Sequence, residues 1–275
     1  MGSCVFVPPP VTRFAPSPTG YLHLGHVVNA IYVWGLARAR GGRVILRIED
    51  HDRLRCRPHY EAALLDDLDW LGFLPDAGRH PPDRQSNRLH DFADALEALD
   101  RQRLVYACDC SRKRVGGQPY DGHCRERGLA REPGRGLRVR LDGEPSGDLL
   151  VRDRDGHWTY QFAVAVDDTR QGITLVVRGQ DLADSTGRQV ALARLLGRTT
   201  PPEFVHHPLI VDSTGRKLSK SAHDTGIREL RAAGLAPETV VGRAAAAAGL
   251  IDSPAAVSAA DVATLFTRRP GCEID

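Results

Sequence analysis

From position 24 to position 40 the apolar residues Val27, Val28, Ile31, Val33, Trp34 and Leu36 recur at helical spacing and stop at Gly41-Gly42. That pattern predicts an amphipathic helix. Before it, 11–16 reads as a short strand ended by Pro16, followed by a turn at Pro18-Thr19-Gly20. After it, the β-branched run 44–48 reads as a second strand and ends in Glu49-Asp50. Further helices are predicted over 58–72 and 87–103, strands over 158–166 and 173–178, a helix over 182–196 and a strand near 208–211. The tail from about 226 is Ala-rich and reads as helical, and no internal repeat is visible. Alternating strands and helices predict an α/β fold, a doubly wound parallel sheet whose ligands bind beyond the carboxyl ends of the strands. The stretch 104–149 breaks the alternation with cysteines, glycines and arginines and reads as an insertion.

Composition narrows the class without naming a chemistry. The chain has 275 residues, 41% hydrophobic and 26% charged, which excludes wholesale disorder and fibrous classes. No run approaches the roughly 20 apolar residues of a membrane span, and residues 1–10 lack the pattern of a secretory signal. A cytoplasmic protein without a membrane partner is expected. Net charge is only +2, yet its make-up is informative: Lys113, Lys217 and Lys220 are the three lysines among 37 basic residues. Two of them fall in Arg216-Lys217-Leu218-Ser219-Lys220-Ser221. A lysine is a compact charge on a flexible stem, suited to meeting a moving phosphate. Six arginines within 125–140 form a basic irregular segment, which by itself supports RNA binding only weakly.

The candidate chemistry sits at two places. His23-Leu24-Gly25-His26 lies where the first strand and the turn 15–20 hand over to the first helix. Two imidazoles three positions apart stand there beside the positive end of a helix. With Lys217-Leu218-Ser219-Lys220-Ser221 far downstream, the motif reads as one half of a nucleotide site. These two strings resemble the HIGH and KMSKS signatures of class I aminoacyl-tRNA synthetases. Arg13-Phe14-Ala15-Pro16-Ser17-Pro18-Thr19-Gly20, Arg47-Ile48-Glu49-Asp50 and Val177-Arg178-Gly179 resemble the glutamyl branch of that family, and the likeness runs from about 11 to 225.

The resemblance implies a Rossmann-type catalytic domain over 1–103 and 150–225, a zinc-binding insertion over 104–149 and a short helical region over 226–275. It also implies attack of a glutamate carboxylate on the α-phosphate of ATP, with Mg²⁺ accompanying the nucleotide. His23, His26 and Lys220 would be catalytic, and Gly25, Lys217, Ser219 and Ser221 would join them in holding ATP. Arg13 and Arg178 would anchor carboxylates, since arginine binds them bidentately. Glu49 would take the ammonium; Phe14, Ala15, Pro16, Ser17 and Tyr160 complete the expected glutamate pocket. A plainer reading of Arg47 and Glu49 is a strand-end ion pair.

Six cysteines are present, and Cys108, Cys110 and Cys124 cluster among glycines, which favours a metal over a disulfide. Zinc needs a fourth ligand. By residue type His123 is the choice. The segment Gly-Gly-Gln-Pro-Tyr-Asp-Gly-His-Cys-Arg, however, resembles the zinc segment of the glutamyl-Q tRNA(Asp) synthetases and implies Tyr120. Only about 50 residues follow Ser221, fewer than an anticodon-reading region needs, and Val164 stands where full-length glutamyl enzymes usually carry Asn. Both features resemble the glutamyl-Q enzymes, whereas the intact His26 is shared with the full-length ones. The expected partners are therefore ATP, L-glutamate and queuosine-containing tRNA(Asp), with the chain a monomer. The competing readings are a truncated glutamyl-tRNA synthetase or glutamate-activating enzyme with another acceptor, an HxGH nucleotidyltransferase, and a synthetase-like RNA-binding module without catalysis.

Overall fold

Hydrophobic periodicity is converted into eight main helices and seven strands in a computed structural model that describes residues 8–210 and 226–267. In chain order these are β1 (Val11–Phe14), α1 (Leu24–Ala39), β2 (Arg43–Leu46), α2 (Pro58–Leu71), α3 (Leu89–Arg101), β3 (Val105–Cys108), α4 (Arg112–Val115), β4 (Gly136–Val139), β5 (Leu149–Arg152), α5 (Tyr160–Arg170), β6 (Leu175–Gly179), α6 (Thr186–Leu195), β7 (Glu203–His207), α7 (Ile227–Ala232) and α8 (Pro237–Ala247), with a last single turn, α9 (Thr264–Thr267). Lys217, Ser219, Lys220 and Ser221 lie outside the described residues. The chain groups into two units, one of 1–84, 173–182 and 203–275, the other of 85–172 and 183–202.

The first unit is the α/β body. β1 and β2 pair in parallel from Val11↔Arg43 to Phe14↔Leu46, and β6 and β7 pair in parallel from Leu175↔Glu203 to Gly179↔His207. The amide of Thr174 donates to the carbonyl of Val11 (2.8 Å) and draws the two strand pairs together. Parallel strands need a helical crossover, and α1 supplies it between β1 and β2. Its side chains Val27, Val28, Ile31, Val33 and Trp34 are buried with Phe14, Val44, Leu46, Val177 and Val205. Ile227, Val240, Val241, Ala244 and Ala245 of α7 and α8 join the same core. Close packing leaves Gly35 no side chain: a Cβ there would stand 2.1 Å from the Phe266 ring.

In the second unit β3, β4 and β5 form an antiparallel sheet in that order. Phe92 and Leu99 of α3, Phe162 and Val166 of α5 and Leu192 of α6 share its core with Val139 and Val151.

Two of the expected elements differ. The run 158–166 is not a strand; from Tyr160 it belongs to helix α5. Phe162, Ala163, Val164, Ala165, Val166, Asp167 and Asp168 are all buried, so no polar face marks the helical period, and β-branched residues imitate a strand. The strand expected near 208–211 is β7, which ends at His207, and 208–210 are not in a strand. Half-buried Phe204 and His206 alternate with buried Val205 and His207, the two-residue period of a strand with one face in the core. The apolar Leu209 and Ile210 follow the strand's end.

Candidate active site

The carboxyl end of β1 and the residues after β2 run side by side. The amide of Arg47 donates to the carbonyl of Phe14 (3.0 Å) and the amide of Glu49 to that of Pro16 (3.0 Å), so the 14–17 segment lies along 47–49. The amide of Thr19 donates to the carbonyl of Ser17 (2.8 Å), turning the chain toward α1. Arg13 is buried at the end of β1, and its Nη1 donates to the carbonyl of Val177 (3.3 Å), next to Arg178 on β6. Arg13, Phe14, Ala15, Pro16, Ser17, Glu49 and Arg178 are thus brought to the strand ends, where an α/β sheet binds ligands.

Charge here is buried. Arg47 is fully buried and Glu49 nearly so, and an Arg47 nitrogen stands 2.9 Å from Glu49 Oε1. The strand-end ion pair therefore exists, and it also holds a buried carboxylate in place. Such a pair survives burial only with good geometry and further hydrogen bonds. Arg178 is buried as well, its Nε donating to Nε2 of His206 (3.2 Å) and its guanidinium carbon 5.1 Å from the centre of the Phe204 ring. Burial, and then the Arg178 charge, hold the His206 imidazole below its ordinary pKa.

His23 caps α1. Its Nδ1 accepts from the Gly25 amide (3.1 Å), while His26 Nδ1 accepts from the His23 amide (3.1 Å), a reciprocal capping box made by two imidazoles 4.0 Å apart. Gly25 is required by this arrangement, because a Cβ would lie 2.9 Å from the His23 ring. The two histidines are therefore oriented by the helix terminus itself. Tyr160 opens α5 in the second unit, and Val164 is fully buried there.

The cysteine cluster forms in the second unit. Cys110 Sγ is 3.6 Å from Cys124 Sγ, and the ligand atoms of Cys108, Cys110 and Cys124 all lie within 4.8 Å of one another. Zinc–sulfur bonds of about 2.3 Å put tetrahedral sulfurs about 3.8 Å apart, so the spacing suits that ion. The hydroxyl of Tyr120 lies 3.5 Å from Cys108 Sγ and 3.6 Å from Cys110 Sγ. His123 is exposed and its amide is turned to Asp121. Burial pushes the Cys108 thiol up, but hydrogen bonds from Tyr120 and Arg138 outweigh it and hold the thiol below its ordinary value. Burial and the surrounding thiols push the Tyr120 phenol up.

A family model described as tRNA synthetases class I (E and Q), catalytic domain, matches residues 10–121 and 135–247. The chain belongs to this family. Among its class I relatives are proteins named glutamyl-Q tRNA(Asp) synthetase. That of Rhodobacter capsulatus is 39% identical over 275 residues, covering 84% of this chain and 98% of the relative. That of Symbiobacterium thermophilum is 40% identical over 295 residues, covering 92% and 91%. Among solved structures, a glutamate tRNA ligase from Elizabethkingia meningosepticum in complex with its amino acid superposes with a TM-score of 0.75 at 27% identity. The match covers 93% of this chain and 64% of the ligase, so this synthetase spans less than two thirds of that structure's length. A methionyl-tRNA synthetase from Mycobacterium tuberculosis shares the fold, with a TM-score of 0.59 at 14% identity.

Several contributors escaped the sequence reading. His206 and Phe204 reach Arg178 only through the β6–β7 register, which a strand placed at 208–211 conceals. Arg138 covers the Tyr120 ring at 3.6 Å and donates to Cys108 Sγ (3.3 Å); in the sequence it is one arginine among six in a basic run.

Proposed function

We propose that this synthetase activates L-glutamate with ATP in the absence of tRNA and transfers the glutamyl group to the queuosine base at the wobble position of tRNA(Asp). The observation that carries the reading is the meeting of buried Arg13, Glu49 and Arg178 at neighbouring strand ends, in a chain about 40% identical to enzymes of that name. Two guanidiniums and one carboxylate complement an amino acid with two carboxylates and one ammonium. Arg13 and Arg178 would clasp the carboxylates and Glu49 the ammonium, with Phe14, Ala15, Pro16 and Ser17 shaping the pocket; the family resemblance adds Tyr160 to it.

The chemistry is a displacement at phosphorus. A carboxylate oxygen of glutamate bonds to the α-phosphorus of ATP, the bond from that phosphorus to the bridging oxygen breaks, and pyrophosphate leaves with its electrons. No covalent enzyme intermediate is needed, so catalysis rests on positioning and charge. His23 and His26, already oriented by the start of α1, would donate to the phosphates over Gly25. Lys217, Ser219, Lys220 and Ser221 would complete the ATP site, with Lys220 meeting the charge on departing pyrophosphate. Mg²⁺ bound with ATP would neutralise phosphate charge. An acceptor nucleophile on the tRNA then displaces AMP from the mixed anhydride.

Cys108, Cys110, Cys124 and Tyr120 would hold one zinc ion in the 104–149 insertion, cross-linking segments that have little apolar core of their own. The remaining division follows the same reading, with 1–103 and 150–225 forming the catalytic domain and 226–275 a helical region. The enzyme would act as a cytoplasmic monomer; among the described residues no helix is long and apolar enough to cross a membrane.

The test is ATP–pyrophosphate exchange without tRNA. Exchange should depend on glutamate and not on aspartate or glutamine, and Lys220→Ala should slow it at least about 100-fold, the scale of one lost transition-state contact. Absence of glutamate-dependent exchange ends the substrate assignment. Equal transfer to tRNA(Asp) with and without queuosine ends the acceptor assignment.

A further inference from the structure

We propose that His206 is a positioning residue for Arg178: its Nε2 holds the guanidinium by the inner Nε and so fixes the plane of the group that would read a substrate carboxylate. The inference rests on the reading of Arg178 as a glutamate anchor and adds a residue to that site.

Four observations support it. Arg178 and His206 are direct partners in the parallel β6–β7 register, so both side chains leave the same face of the sheet. The hydrogen bond between them is 3.2 Å long. Phe204, two residues before His206 on the same face, lies beneath the guanidinium, and its ring is nearly parallel to the imidazole (8°). The alternate residues Val177 and Val205 are buried in the core on the opposite face, which fixes the strand pair and leaves little freedom for either side chain to turn.

The chemistry suits an imidazole. An arginine clasping a carboxylate end-on uses its two terminal nitrogens, and the Nε–H is then the donor by which the protein can fix the plane of the fork. A neutral ring offers Nε2 as a lone-pair acceptor without adding a charge that would compete with the substrate. Burial beside a permanent cation lowers the ring's pKa and so favours its neutral form. An acidic residue in its place would hold the guanidinium more strongly but cancel part of the charge that attracts glutamate. Arg13 is fixed differently, through the carbonyl of Val177 (3.3 Å), so β6 orients one anchor by its backbone and β7 the other by a side chain.

The experiment compares His206→Ala with His206→Gln, whose Oε1 restores an acceptor, in glutamate-dependent exchange. His206→Ala should raise the KM for glutamate about tenfold, the scale of one hydrogen bond to a charged group, with kcat and the KM for ATP within twofold. His206→Gln should recover most of the loss. In nuclear magnetic resonance without substrate, the Arg178 Nε–H should be protected from exchange in wild type and His206→Gln but not in His206→Ala. An unchanged glutamate KM in His206→Ala, alongside a raised KM in Arg178→Ala, overturns the inference and spares the function. Equal losses in kcat and both KM values, unrescued by Gln, mark a merely structural histidine and overturn it too. Wild-type enzyme without glutamate-dependent exchange overturns the proposed function itself, a result visible before any variant is made.

Discussion

Arg47 shows how tightly the candidate pocket is constrained. Its side chain is fully buried and paired with Glu49, itself only 4% exposed. Removing one partner of a buried pair leaves the other charge without its compensation and costs about 3–5 kcal/mol. Arg47→Ala should therefore lower the unfolding free energy by roughly that amount in urea titration. Glu49→Leu should cost a similar amount, because it removes the carboxylate paired with the fully buried Arg47 guanidinium, and glutamate-dependent exchange should be lost with it. Tyr120 and His123 offer a second contrast. The hydroxyl of Tyr120 sits between two thiols, whereas His123 is exposed. In metal titration Tyr120→Phe should weaken zinc binding at least tenfold and His123→Ala should leave it unchanged. The opposite ranking would make His123 the fourth ligand.

Helix α2 carries a titrating group on its buried side. Asp67 is raised to about 6, first by burial and then by repulsion from Asp66, and one of its oxygens has no hydrogen-bond partner among the described residues. The unfolded carboxyl titrates near about 3.9. Protonated Asp67 thus favours the folded state: that stability is complete below about pH 4 and is lost as pH rises through about 6. Asp67→Asn should remove the loss, stabilise the protein by roughly 1–3 kcal/mol at pH 8 and flatten the stability profile between pH 4 and 7. Thermal melts across that range measure it. Elements also differ in how openly the sequence declares them. α2 and α3 have apolar faces set against polar ones, and α1 and α2 are bounded by glycine or proline, so the local pattern finds them. α5 is buried around most of its circumference and has no such contrast. β7 ends in Val205-His206-His207, whose histidines mask the strand alternation while the apolar residues beyond it imitate one.

For the molecule as a whole, two separate cores divide the labour. The α/β unit holds Arg13, His23, His26, Glu49 and Arg178, and the second unit holds the cysteine cluster beneath Arg138. Among the described residues, Tyr106, Cys110, Val115 and Leu129 pack partly buried against Cys108, Tyr120 and Cys124, a small apolar contribution for that segment. A zinc ion held there, as proposed, would supply cohesion that burial does not. In calorimetry a zinc chelator should lower the melting transition of the second unit by several degrees and leave that of the first within a degree. A uniform shift, or none, would contradict a structural zinc.

By itself the chain determined its chemistry and most of its helices. His23, Gly25 and His26 are local, since three positions of spacing at a helix start put both rings on one turn, and the pattern of Cys108, Cys110 and Cys124 already suggests that they come together as free thiols. Helices with apolar residues at helical spacing are likewise written in consecutive residues. What joins distant residues was decided only in three dimensions: the Arg13 side chain against the Val177 carbonyl, His206 opposite Arg178, and the Tyr120 hydroxyl rather than the His123 ring beside the thiols. Each depends on strand register or loop closure, where a shift of one residue sends a side chain to the other face. That choice is made by the total burial of the two faces, a sum over residues far apart in the chain that no local pattern contains.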